Sequence, residues 1–123
     1  MITIIVKTKF ENLADRDRML AAIRIAAVST RKEPGVFLYQ TGIDFEDPLT
    51  THSLEIYTTE EALFAHNRAA HFATLIGSVS DLKAEITLQA YQADLEPYDL
   101  GPAIACGPMH DPEGGGDFSY QMQ

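Results

Sequence analysis

Glu55-Ile56-Tyr57-Thr58-Thr59-Glu60-Glu61-Ala62-Leu63-Phe64-Ala65-His66-Asn67-Arg68-Ala69-Ala70-His71-Phe72 is the stretch whose reading decides the fold. It opens with the end of a β-rich run, His52 to Thr58. Thr58 or Thr59 can then cap a helix that starts at Glu60-Glu61, because a threonine oxygen accepts from exposed first-turn N–H groups. Thr58-x-x-Glu61 has the spacing of a capping box. The helical pattern continues through Phe72, Leu75, Ile76 and Val79, with a break expected near Ala69-Ala70.

Working outward, the same grammar repeats. Ile2 to Lys9 reads as a strand, with Ile2, Ile4 and Val6 on one face and Thr3, Ile5 and Lys7 on the other. Asn12 caps a helix from about Leu13, with Asp15 and Asp17 at its dipole-favoured start and Leu20, Ile23 and Ala27 as an inward stripe. Arg31 and Lys32 close it and Glu33-Pro34-Gly35 stops it. Val36 to Asp44 is a second strand, Glu46-Asp47-Pro48 a turn, and Ala84 to Gln92 the last strand, with Ala84, Ile86, Leu88 and Ala90 inward. The order β-α-β-β-α-β predicts an α+β, ferredoxin-like domain. Helices on one sheet face leave the other uncovered, carrying groups such as Phe37 and Tyr39, so a homodimer with face-to-face sheets is expected.

The 123 residues suffice for one domain. Residues 1–94 form the expected body. The remainder, 95–123, holds four of the six prolines, five of the eight glycines and no Lys or Arg, which marks an acidic Gly/Pro-rich tail. Tyr98, Leu100, Ile104, Met109, Phe118 and Tyr120 could anchor that tail on the body or on a partner. A net charge of −9 without a basic patch argues against nucleic acid. The apolar runs are too short to cross a membrane, the first residues lack a signal-peptide pattern, and the single Cys106 fits a reducing compartment, so a cytoplasmic location is expected.

Chemistry concentrates in the opening stretch. His66 and His71 can exchange protons near neutral pH, and Glu55 and Tyr57 can orient or assist them. Each has a structural reading too: Glu55 can hold an amide or a basic group, His66 can pin the helix break, His71 can be a surface residue, and Tyr57 and Tyr39 can be core or interface aromatics. His66 and His71 are not an i, i+4 helical pair, so no metal site is expected. His52 and His110 show no partner in the sequence.

The Glu-x-Tyr strand, the Thr58-to-Leu63 helix start and Ala-His-x4-His-Phe resemble the antibiotic biosynthesis monooxygenase domain family. Glu33-Pro34-Gly35 and Asp47-Pro48 fit the same pattern, and the resemblance spans residues 1–92. It implies a dimeric α+β barrel with a pocket between sheet and helices. Members include cofactor-free monooxygenases of phenolic, quinol or anthrone-like compounds, and relatives include haem-degrading and signal-processing enzymes. Many members carry Trp where this chain has Tyr57, and the chain has no Trp at all, which removes support for haem degradation.

The reaction expected first is oxygenation of a small aromatic or quinol-like ligand with no cofactor. His66 or His71 would act as base, with Glu55 and Tyr57 assisting and Tyr39, Phe37 and Phe72 lining the substrate site. Two alternatives stand beside it: proton transfer or isomerisation on a small carbonyl compound, and a non-catalytic binding or assembly module whose tail contacts a partner.

Overall fold

A computed structural model describes residues 1–93. Seven elements follow in order: β1 (Ile2–Phe10), α1 (Leu13–Thr30), β2 (Val36–Ile43), β3 (Thr50–Tyr57), α2 (Glu60–Asn67), α3 (Ala70–Val79) and β4 (Ala84–Gln92). The four strands form one sheet in the order β2-β3-β1-β4, and every pairing is antiparallel. This is the expected ferredoxin-like α+β arrangement, with its second helix in two pieces. The expected tail, 95–123, lies outside the described residues.

Local chemistry explains the element ends. Asn12 caps α1, its side chain accepting from the Asp15 N–H at 2.8 Å. Thr59, rather than Thr58, caps α2 by accepting from the Ala62 N–H at 3.1 Å. Thr58 instead ties the chain to Gly35, whose carbonyl accepts from the Thr58 N–H at 2.9 Å. The capping-box expectation was one residue out of phase. The β2–β3 turn is held by Asp44, which accepts from the Glu46 and Asp47 N–H groups, and by Asp47, which accepts from Leu49 N–H and the Thr50 hydroxyl. Asp44 also pairs with His52 at 2.6 Å, a partner that strand reading alone did not reveal.

Register divides the sheet faces. Ile4, Tyr39 and Glu55 are cross-strand neighbours on one face, and His66 of α2 packs its ring 5.7 Å from that of Tyr39 and 5.5 Å from that of Tyr57. Tyr39 therefore lies on the helix-covered face and is buried, not on the uncovered face where the sequence placed it. The cause is a bulge between Val36 and Leu38, which interrupts strict alternation in β2 and leaves Phe37 about 40% exposed at the sheet edge.

The core gathers Ile4, Phe10, Ala26, Ala27, Tyr39, Ile56, Tyr57, Leu75 and Val79. In α1 the buried positions are Ala26, Ala27 and Thr30, small residues that let the helix approach its neighbours, while Leu20 and Ile23 are only half-buried. Ala84, Ile86, Leu88 and Ala90 share the expected face, paired with Phe10, Thr8, Val6 and Ile4 of β1, but they are not buried there. β4 is an edge strand with no fully buried residue, and Ile86 and Leu88 are each 61% exposed. No described helix is long and apolar enough to cross a membrane.

Candidate functional site

The site is assembled by the interruption between α2 and α3. Arg68 caps α2, Ala69 adopts an extended conformation (φ −70°, ψ 145°), and α3 restarts at Ala70. In an unbroken helix, residues five apart point about 140° away from one another. The single extended residue cancels that divergence, and the rings of His66 and His71 come to 5.9 Å. The spacing argument against a metal site assumed a continuous helix, and this break removes that assumption.

Between the rings sits Glu33, from the loop after α1. Its Oε2 lies 2.8 Å from His66 Nδ1 and 2.8 Å from His71 Nε2. A carboxylate only accepts hydrogen bonds, so both of those nitrogens carry protons and donate to it. In the neutral rings the lone pairs then sit on His66 Nε2 and His71 Nδ1. His66 is 2% exposed, and its Nε2 is buried without a hydrogen-bond partner among the described residues. Aromatic rings surround it: Tyr39, Tyr57 and Phe72, the last at 5.0 Å. His71 is 24% exposed and lines a groove of about 190 Å³ between α1 and α3, with Ala22, Ile25, Ala26, Ser29 and Thr74. The accessible lone pair of the cluster therefore belongs to His71.

Glu55 does not reach either imidazole by a hydrogen bond. It accepts from the Tyr57 hydroxyl at 2.5 Å. Burial, that hydrogen bond and the Glu55 charge all push the Tyr57 phenol up. Tyr39 is pushed up to about 12, first by burial and then by the charges of Glu55 and Glu33. Both phenols consequently stay protonated at neutral pH, as hydrogen-bond donors and not as bases.

Of the seven residues singled out from sequence, the structure brings together His66, His71, Tyr57, Glu55, Tyr39 and Phe72. Phe37 stands apart, in a shallow groove with Arg31 and Gln40 at the β2 edge. A further groove of about 330 Å³ runs between α1 and β2, lined by Leu20, Ile23, Ala27, Arg31, Thr41 and Ile43, and no histidine lines it. Glu33 is the residue that sequence reading missed, having taken it only as part of a helix stop. One signal was present: an anion just past a helix C-terminus works against the helix dipole and calls for another reason to be there.

This fold and motif set match known proteins. The family model described as antibiotic biosynthesis monooxygenase matches residues 1–77. The chain belongs to the antibiotic biosynthesis monooxygenase family. A Bacteroides thetaiotaomicron protein of unknown function, described as a possible oxidoreductase, is 27% identical, with a TM-score of 0.67 over 73% of this chain and 94% of that one. A Nitrosomonas europaea protein assigned to this family is 24% identical (TM-score 0.70, 77% of this chain and 100% of that one). A Deinococcus radiodurans structure likewise assigned is 19% identical (TM-score 0.71, 82% and 100%), and these two show the fold alone. No curated protein matches.

Proposed function

We propose that this chain is a cofactor-independent monooxygenase acting on a small phenolic or quinol-type compound. The observation that carries the reading is the Glu33–His71 pair, which presents an oriented imidazole to a groove while Glu33 holds its other nitrogen. A carboxylate behind an imidazole fixes its tautomer and stabilises the cation formed when it takes a proton. His71 Nδ1 would remove a proton from the substrate. The resulting anion passes one electron to O2, and the radical pair combines to a hydroperoxide at carbon. Loss of water from that hydroperoxide leaves the new carbonyl. The substrate supplies the electrons, one oxygen atom of O2 enters the product and the other leaves as water.

The groove is smaller than the roughly 300–1,000 Å³ of common ligand pockets, which favours a single-ring substrate. The Tyr39 and Tyr57 rings pack against His66 on the buried side of the cluster. Phe72 packs against His66 and holds its ring in place. A homodimer is part of this reading, because the family resemblance implies one and edge strand β4 leaves Ile86 and Leu88 exposed. The test is oxygen uptake with a panel of single-ring hydroquinones. His71→Ala is expected to slow turnover by about 10²–10⁴-fold; no uptake with any member of the panel would overturn the reading. The same pair would serve proton transfer on a carbonyl compound, and turnover unchanged under anaerobic conditions would favour that alternative.

A further inference from the structure

We infer that Glu33, His66 and His71 form a binding site for a borderline divalent transition ion of the zinc and ferrous class. Three ligand atoms, His66 Nδ1, His71 Nε2 and a Glu33 oxygen, converge within 4.8 Å of one another. They come from three separate segments: the loop after α1, the last turn of α2 and the first turn of α3. Two imidazoles and one carboxylate suit zinc, cobalt or ferrous ions, whereas calcium and magnesium prefer all-oxygen sets.

The geometry is close to what such an ion needs. Metal–ligand bonds of about 2.0–2.2 Å place tetrahedral ligand atoms roughly 3.3 Å apart. Here the carboxylate oxygen is 2.8 Å from each nitrogen, the separation of a hydrogen-bonded triad. An opening of about half an ångström at each contact converts one arrangement to the other. The ion then takes the place of the two N–H protons that now point at Glu33, so metal and proton compete for the same two nitrogens. Three protein ligands leave a coordination position free.

This goes beyond the oxygenase reading, which needs no ion, and sets a competition with it. An ion on His71 Nε2 and Glu33 removes the carboxylate from its role behind the base. Added metal should therefore inhibit the metal-free activity.

The test is titration of the untagged, metal-stripped full chain with Co²⁺, read by visible d–d absorbance and by calorimetry, and then with Zn²⁺ as competitor. One equivalent per chain with tetrahedral-type absorbance is expected. His71→Ala and Glu33→Gln should each weaken binding by about 100-fold or more, since even outer-shell partners of metal ligands are worth 10–100-fold. His52→Ala, which touches only the Asp44 pair, should bind as the parent does. Circular dichroism of each variant verifies folding, and Glu33→Gln and His71→Asn supply the reading should His71→Ala not fold. Absence of stoichiometric binding, or binding that survives in both Glu33→Gln and a folded His71 variant, would overturn the inference. Binding is measured without substrate, so its failure leaves the oxygen-uptake result standing, and the reverse also holds.

Discussion

At the scale of single residues, Glu33 carries more of the site than any other side chain. It is the acceptor for His66 Nδ1, a nitrogen on a ring only 2% exposed. Removing that acceptor strands a buried donor, so Glu33→Ala should lower stability by about 1–3 kcal/mol in urea melts, while Glu33→Gln, which keeps an acceptor oxygen, should cost less. Tyr39 offers a pH readout. Its native phenol keeps its proton up to about 12 against an ordinary 10.0. Between those values the native state binds more protons than the unfolded one. The associated stability is intact below pH 10 and is lost as pH rises through that window. A tyrosinate titration at 295 nm should show a late component that is absent in Tyr39→Phe.

At the scale of elements, two short segments set the geometry. Gly35 lies under the start of α2, and a Cβ built there would collide with that of Ala62. No flexible side chain is involved, so the helix or the loop must shift. Gly35→Ala should cost about 1–3 kcal/mol, measured by thermal or urea unfolding, and should disturb the neighbouring Glu33 contacts. The β2–β3 turn behaves differently. Asp47 is held down to about 2, chiefly by its hydrogen bond from Lys9 and then by Thr50 and Leu49. Its contribution is present above pH 3.8 and lost as pH falls towards 2. An NMR titration of the Asp47 carboxyl should show the depressed midpoint, and Lys9→Met should move it up.

At the scale of the whole molecule, β4 is the feature that asks for a partner. Among the described residues it pairs only with β1, and Ile86, Leu88 and Tyr91 are each more than half exposed along it. Light scattering of the full chain should report a dimer at micromolar concentration, and Ile86→Lys with Leu88→Lys should shift it towards monomer with the fold retained. A monomeric parent would remove the assembly from the reading of this protein.

The sequence by itself determined the order and type of the elements, because caps, turns and strand alternation are local: Asn12 before α1, Thr59 before α2 and Glu33-Pro34-Gly35 after α1 act within a few residues of themselves. It also marked His66 and His71 as candidates and a helix break near Ala69-Ala70. The face on which Tyr39 lies was not legible, since one bulged residue reverses the alternation that strand reading depends on. The exposure of β4 was not legible either, since it follows from edge position and not from composition. Above all, only the tertiary structure decided that Glu33 joins two histidines more than thirty residues away. A hydrogen bond across that separation leaves no periodic trace in the chain; it exists because Ala69 turns two helix pieces so that their imidazoles face one carboxylate.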